Sequence, residues 1–248
     1  MKKRFKQLTK KLILKSLKVD KKKSVEVNNS DFTSFEKEVI KRTANYTMTG
    51  PERIVSLIRA VEFIVENNIK GDIVECGVWK GGSIMAALIA LKKQEVCKDV
   101  YLYDTFEGMV EPTEDDMSNK GKSATDIYQN MNGKWCYSSL NEVKSNIETL
   151  QYPKEKIHYI KGKVEETIPN NSTPKDIALL RLDTDWYEST KHEMEHLFPK
   201  IVKGGIIIID DYGHWTGCKK AVDEYLLNNK ITLFLSRVDY TCRIGVKL

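Results

Sequence analysis

Three aspartates that follow two apolar runs have the clearest chemical potential in this sequence. Asp183 ends the run IALLRLD, and Asp210 and Asp211 end the run GIIIID. Parallel strands finish at the same edge of a sheet, so these carboxylates should meet there and repel one another unless a cation lies among them. Oxygen ligands favour Mg²⁺, Mn²⁺ or Ca²⁺ over zinc, and such an ion would bind, acidify and orient a substrate hydroxyl. The alternatives are that the acids are only turn or cap residues, or that Asp185 replaces Asp183 as a ligand.

A glycine-rich segment with the pattern E-x-G-x-x-x-G-G-S joins another apolar run to a helix. Its members are Glu75, Gly77, Gly81, Gly82 and Ser83. The glycines permit a tight turn and let backbone N–H groups approach a polar ligand at the helix N-terminus. Asp104 ends the next apolar run, DVYLYD, where an acid accepts hydrogen bonds from ribose hydroxyls. The spacing differs from the dinucleotide pattern G-x-G-x-x-G and suits S-adenosylmethionine, which has no pyrophosphate. A plain turn remains the alternative for the glycines alone.

Two patterns that contain histidine carry weaker signals. The segment from His192 to His196 matches the zinc-hydrolase pattern H-E-x-x-H. It follows a parallel strand, lies away from the carboxyl ends of the strands and has no evident third ligand, so an exposed polar helix face is expected. His214 follows Asp210 and Asp211 at the chemically interesting edge. There it is a substrate contact, an acid–base group, or a loop residue with neither role.

Apolar runs that alternate with helical patterns must position these residues. The runs that predict buried parallel strands lie at 72–76, 99–104, 157–161, 177–183 and 205–210. Two terminal strands at 232–236 and 241–246, joined by a short turn, predict one antiparallel edge strand. The sequence therefore predicts an α/β protein of Rossmann-like fold. Its mostly parallel seven-stranded sheet should carry helices on both faces.

The charge distribution divides the chain into an arm and one domain. Residues 1–23 hold eleven Lys or Arg and one acid, which leaves 29 basic and 34 acidic residues in 24–248, a net charge of −5. The arm is either a basic amphipathic helix that touches an anionic membrane or an acidic partner, or a solvated segment that packs on the protein or a second subunit. Residues 24–45 have the composition of a linker, which places the domain at 46–248. The acidic domain argues against nucleic-acid binding.

A long connection and the cysteines complete the pattern. Residues 106–136 contain Gly, Pro, Asn and acids with little apolar periodicity, which is typical of a functional lid or a disordered insert. The five cysteines are scattered and form no C-x-x-C pair, which favours a reducing, cytoplasmic location. No apolar run approaches the ~18 residues of a membrane span.

These motifs together resemble the macrocin O-methyltransferase family. The likeness runs from about Tyr46 to Leu226 and rests on YTMTGPERIVSL, GDIVECGVWKGGS, YDTFEGMVEPTEDD, GKVEETIP, LRLDTDWYEST, PKIVKGGIIIIDDY and CKKAVDEY. The resemblance implies a class I S-adenosylmethionine-dependent methyltransferase fold, metal-assisted methylation of a sugar hydroxyl, and a homo-oligomer. Thr184 and Trp186 stand in LDTDWYES where the family often has Gly and Leu, which implies a reshaped pocket.

The resemblance also implies roles for individual residues. The amino-acid end of the cofactor would be held by Glu75, Gly77 and Ser83, with help from Thr47 and Met48. Asp104 would bind the ribose, and Val164 and Glu165 would lie near the adenine. Gly81, Gly82 and Thr105 would also bind the cofactor. The ligands of Mg²⁺ or Mn²⁺ would be Asp183, Asp210 and Asp211. Asp183 would also be the base for the acceptor hydroxyl and lie beside the cofactor.

Several hypotheses follow for the function. The leading one is an O-methyltransferase whose acceptor is a small-molecule or glycan sugar, in natural-product or surface-polysaccharide biosynthesis. A phenolic acceptor is an alternative. Another is a non-catalytic nucleotide-binding module whose basic arm docks a partner. We expect a cytoplasmic protein, either free or held at the inner face of a membrane by residues 1–23.

Overall fold

The computed structural model describes residues 29–131, 134–170 and 173–248. Residues Phe32–Leu248 form one compact unit. The predicted basic helix within residues 1–23 lies outside the described residues. In the part of the chain that is described, no helix is both long and apolar enough to cross a membrane.

Seven strands form one sheet within this unit. The strands are β1 (Asp72–Cys76), β2 (Val100–Asp104), β3 (Ile157–Lys161), β4 (Ile177–Leu182), β5 (Ile201–Ile209), β6 (Ser236–Arg237) and β7 (Arg243–Val246). Their order is β3-β2-β1-β4-β5-β7-β6. β1 to β5 pair in parallel, and β7 pairs antiparallel with both β5 and β6. This confirms the predicted mostly parallel seven-stranded sheet, and the antiparallel strand lies one place in from the edge.

Helices cover both faces of the sheet. They are α1 (Ser34–Thr43), α2 (Pro51–Glu66), α3 (Gly82–Lys93), α4 (Ala124–Asn130), α5 (Leu140–Glu148), α6 (Val164–Thr167), α7 (Tyr187–His196) and α8 (Thr216–Asn228). Successive strand residues enter opposite cores because side chains alternate along a strand. Ile73, for example, joins the core with α1, α2, α3 and α5, whereas Val74 joins the core with α7 and α8.

The predicted linker at 24–45 needs a correction, because α1 occupies part of it. Thr33 caps α1 in a reciprocal capping box with Glu36, whose side chain also accepts a hydrogen bond from Arg59 Nε at 2.8 Å. Val39 is fully buried against the other helices of its face. The apolar stripe of α1 is narrow and most of its other residues are charged, so its composition resembles that of a linker.

The segment predicted as a lid or disordered insert packs against the sheet's carboxyl end. Asp116 in it is fully buried and accepts hydrogen bonds from Thr113 N and Tyr187 N, both at 2.8 Å. A β-bridge joins Ser118 to Trp215, at the start of α8. The segment is therefore tied to the loop that follows β5, and its movement as a lid stays a prediction.

Candidate active site

The main cavity of the described residues lies at the carboxyl ends of β1, β2, β4 and β5. Its volume is about 360 Å³. The loops after these four strands, the segment before α2 and the 106–136 segment supply its walls. This is the edge where a parallel sheet of this kind binds ligands. The sequence-derived residues that line the cavity are Thr47, Met48, Gly77, Ser83, Asp104, Asp183, Asp210, Asp211 and His214.

The turn between β1 and α3 has a geometry that demands glycine. Gly77 has φ +81°, and a Cβ there would lie 2.0 Å from the backbone oxygen of Asp183. A Cβ at Gly82 would lie 2.5 Å from the backbone oxygen of Tyr46, and Gly81 has φ +87° as the N-cap of α3. The backbone of β1 can thus run directly beside the end of β4, where Asp183 begins the functional loop.

Three hydroxyl groups meet beside the N-terminus of α3. Ser83 Oγ lies 3.3 Å from Thr47 Oγ1 and 3.2 Å from Thr49 Oγ1, and all three residues line the cavity. Met48 also lines it, although its side chain is largely exposed. A helix N-terminus with hydroxyl donors suits a carboxylate, such as that of an amino acid.

Asp104 lies at the end of β2 in a cradle of backbone donors. One carboxylate oxygen accepts from Val78 N at 2.6 Å and Trp79 N at 3.1 Å, and the other accepts from Phe106 N at 2.7 Å. Burial nevertheless raises the pKa of this carboxyl, against the opposing effect of the N–H donors. The cradle fixes the carboxylate's orientation towards the cavity, which is what a ribose-binding acid requires.

A side cavity of about 60 Å³ continues from the main one past Asp104. Val164 and Glu165, which the resemblance places near the adenine, line it together with Thr105 and Tyr103. Glu165 Oε1 accepts a hydrogen bond from Ser189 Oγ at 2.7 Å, whereas its buried Oε2 and the buried hydroxyl of Tyr103 have no partner among the described residues. Buried polar atoms normally have partners, so a ligand with donors and acceptors fits here.

The acidic cluster consists of Asp183, Asp185 and Asp211, each of which offers one carboxylate oxygen within 4.8 Å of those of the other two. Burial, followed by the neighbouring carboxylates, raises the pKa of Asp183 to about 6, against the opposing effect of Arg181. Burial raises the pKa of Asp185 to about 8 and that of Asp211 well above its ordinary range. A site in which charge is this costly suits a divalent cation with oxygen ligands.

Asp210, the third ligand expected from the sequence, lies apart from this cluster. Its Oδ1 accepts a hydrogen bond from Arg181 Nη2 at 2.7 Å, and its Oδ2 forms an ion pair with Arg53. Asp185 lies in the cluster in its place. Each oxygen of Asp210 is paired with one arginine, so Asp210 balances the positive charge of Arg53 and Arg181 beside the cavity.

Arg181 organises the floor of the site from within β4. Its guanidinium is buried and donates to Glu75 Oε1, Asp183 Oδ2 and Asp210 Oδ1, each at 2.7 Å. It also donates to Thr49 Oγ1 at 3.0 Å. Glu75 lies beneath the main cavity and outside its lining, and burial raises its pKa to about 8 despite Arg181.

The H-E-x-x-H segment lies elsewhere in α7. Glu193 is fully buried and accepts hydrogen bonds from Thr184 Oγ1 at 3.0 and 3.1 Å, so the expected exposed polar face is wrong for this residue. His192 Nε2 lies 2.7 Å from the carbonyl oxygen of Ile168. The segment does not line the main cavity. His214 does, and its Nδ1 lies 3.1 Å from the hydroxyl of Tyr240.

Several residues of the site are absent from the sequence-derived set. Arg53, Thr49, Trp135 and Tyr240 line the cavity, and Arg181 lies beneath it. Arg181 did leave a signal, because a charged residue inside an apolar strand needs a buried partner. The others lie far along the chain from the residues that they contact, so only the fold brings them together.

The sequence and the fold of this chain are similar to those of known O-methyltransferases. The family described as Macrocin-O-methyltransferase (TylF) matches residues 1–245. Demethyldecarbamoylnovobiocin O-methyltransferase of Streptomyces niveus is 35% identical over 73% of this chain and 67% of its own. An 8-demethyl-8-(2,3-dimethoxy-alpha-L-rhamnosyl)-tetracenomycin-C 4'-O-methyltransferase of Streptomyces olivaceus is 32% identical over 79% and 73%. The solved structure of the O-methyltransferase NovP has a TM-score of 0.73 at 30% identity and covers 82% of each chain.

Proposed function

Because this chain belongs to the macrocin O-methyltransferase family, we propose that it transfers the methyl group of S-adenosylmethionine to a sugar hydroxyl with the help of a divalent cation. The observation that carries the proposal is the position of the acidic cluster. Asp183, Asp185 and Asp211 line the same cavity as Asp104 and the hydroxyls at the N-terminus of α3. A methyl donor and a hydroxyl acceptor can therefore meet in one cavity.

The donor fits the residues on the β1 and β2 side. The amino-acid end faces the hydroxyls of Thr47 and Ser83, and Asp104 accepts from the ribose. The partnerless oxygen of Glu165 and the hydroxyl of Tyr103 suit the amino group and ring nitrogens of adenine. S-adenosylmethionine supplies the electrophilic methyl group.

The divalent cation fits the acidic cluster. Three carboxylates with raised pKa values would hold Mg²⁺ or Mn²⁺ through oxygen ligands, with water or substrate completing the shell. When bound, the cation lowers the pKa of an acceptor hydroxyl and fixes its direction. Asp185, rather than Asp210, is the third ligand that we propose.

The protein's own groups supply the remaining requirements. Asp183 accepts the proton of the acceptor hydroxyl, because its carboxylate lines the cavity and is only partly paired with Arg181. Arg181 fixes the orientation of Asp183 through a hydrogen bond of 2.7 Å. Trp135 and Trp215 also line the cavity, and we assign them to the acceptor side, where their apolar rings limit the access of water. Orientation and desolvation together favour in-line transfer.

The acceptor class rests on the relatives. The printed name of the Streptomyces olivaceus relative describes methylation of a rhamnosyl group on a natural product. We propose a sugar hydroxyl for this chain as well, in natural-product or surface-polysaccharide biosynthesis.

Calorimetric titration of S-adenosylhomocysteine tests the cofactor part of the proposal. We expect Asp104→Ala to weaken binding by about 10- to 100-fold, because a charge-assisted hydrogen bond to ribose is lost. Asp99→Ala is the matched control, since Asp99 lies just before the other end of β2 and pairs with Lys156 at 2.7 Å, away from the cavity. Equal affinity of the wild type and Asp104→Ala, with both folded, would contradict the proposal.

A further inference from the structure

A second cavity of about 500 Å³ opens from the acceptor side of the active site. It shares Trp135, His214, Trp215 and Tyr240 with the main cavity, so the two are continuous. A pocket of this size accommodates a ligand considerably larger than one sugar ring. A molecule whose sugar lies at Asp183 can therefore extend into it.

A turn at residues 118–122 forms the outer wall of this second cavity. It is closed by hydrogen bonds from Gly121 N to Ser118 O at 2.9 Å and from Ser118 N to Lys122 O at 2.8 Å. Asn119 N also donates to His214 O at 2.7 Å. The backbone of the turn is thus fixed to the loop that carries Asp211 of the acidic cluster.

The charge of this cavity is positive. Two exposed lysines, Lys120 and Lys122, line it and no Asp or Glu does. Neither lysine forms an ion pair within the part of the chain that the structure describes. Arg53 adds a third positive group on the adjoining wall of the main cavity.

Aromatic rings line the remainder of the second cavity. Trp135 and Trp215 lie edge to face, with centroids 5.9 Å apart, and Tyr240 is half exposed. Exposed ring faces bind planar groups such as nucleobases by stacking. The combination of two free lysines and aromatic surface differs from what a neutral monosaccharide requires.

We propose that the acceptor is a sugar linked to a nucleoside diphosphate, an inference that rests on the proposed function. The sugar lies at the acidic cluster, the diphosphate faces Lys120 and Lys122, and the base stacks on the rings of Trp135 or Tyr240. Ammonium groups bind phosphate oxygens as point charges, and a turn that carries two of them suits a diphosphate. The two lysines also orient the acceptor relative to the acidic cluster, because only the diphosphate end of a nucleotide-linked sugar is anionic.

Calorimetry on the protein saturated with S-adenosylhomocysteine and Mg²⁺ tests this assignment. The probes are uridine and thymidine 5′-diphosphates, the uncharged nucleosides and inorganic diphosphate. We expect a nucleoside diphosphate to bind at least tenfold more tightly than its nucleoside or inorganic diphosphate. The double variant Lys120→Gln/Lys122→Gln should weaken that binding by roughly 20-fold, about fivefold per lysine. Lys134→Gln, an exposed lysine of the same segment outside the cavity, should change it less than twofold.

Each other outcome overturns the inference. The inference is wrong if neither nucleoside diphosphate binds. It is also wrong if the double variant binds the nucleoside diphosphate as tightly as the wild type does, because the diphosphate would then lie on the cation. Inorganic diphosphate that binds as tightly as the nucleotides would remove the nucleoside. S-adenosylhomocysteine binding, measured in the same samples, distinguishes failure of this inference from failure of the proposed function. Absence of that binding would contradict the proposed function.

Discussion

Gly77 follows β1 and lies against the backbone of Asp183 at the end of β4, so replacing it by alanine should damage both stability and the site. The left-handed φ of +81° costs about 1–2 kcal/mol for alanine. The added Cβ would also lie 2.0 Å from the backbone oxygen of Asp183, and such overpacking costs a further 1–3 kcal/mol. We therefore expect Gly77→Ala to lower the free energy of unfolding by about 2–5 kcal/mol.

The same contact should impair chemistry, because relief of the clash must shift the start of the loop that carries Asp183. An ordinary carbon–oxygen contact exceeds 3 Å, so the shift is about 1 Å, and a misplacement of that size costs about 100-fold in rate. Gly121→Ala is the matched control for stability: its φ is +71°, but nothing lies within 4 Å of the added Cβ. Urea unfolding compares the two variants, and methyl transfer compares Gly77→Ala with the wild type. Equal unfolding free energies for the two variants, together with an undiminished rate for Gly77→Ala, would refute this reasoning.

Three further predictions concern the buried arginine, the cation and the H-E-x-x-H segment. Arg181→Met should lower the unfolding free energy by about 3 kcal/mol because buried carboxylates lose their partner. Lys154→Met, at an exposed ion pair, should lower it by less than about 1 kcal/mol. Equal losses for the two variants in urea unfolding would contradict this. Mg²⁺ affinity should be highest above pH 8 and fall towards pH 6, because protons compete with the cation for the carboxylates. Asp185 has a pKa of about 8 and Asp183 a pKa of about 6. A pH-independent affinity in calorimetry would refute this prediction. His196→Ala should leave methyl transfer unchanged, and loss of bound zinc together with activity would revive the zinc-hydrolase hypothesis.

The sequence predicts the sheet well because its strands are continuous apolar runs. Strands that are buried on both faces have apolar residues at nearly every position, which makes them easy to find. The predicted terminal strands at 232–236 and 241–246 overlap β6 and β7. The helix α1 escaped prediction because a single buried stripe within charged residues gives a weak signal. The capping box of Thr33 and Glu36 is a signal of a helix start, but the charged composition of the segment outweighs it.

The site was less predictable at the level of single side chains. Carboxylates at two strand ends are evident from the sequence, but which of them face one another depends on backbone direction. Asp185 has φ +69° and lies with Asp183, whereas Asp210 lies against Arg53, 157 positions away. Neither the left-handed conformation of Asp185 nor a contact over that separation has a local sequence signal.

Methyl transfer from labelled S-adenosylmethionine to a panel of free and nucleotide-linked sugars tests the central claim most directly. The assay compares Mg²⁺ with excess chelator and the wild type with Asp183→Asn. We expect transfer to a sugar hydroxyl in Mg²⁺, its loss on chelation and recovery when Mg²⁺ is restored. Asp183→Asn should lose transfer while it binds S-adenosylhomocysteine as the wild type does. Undiminished transfer by this variant in chelator would contradict the account.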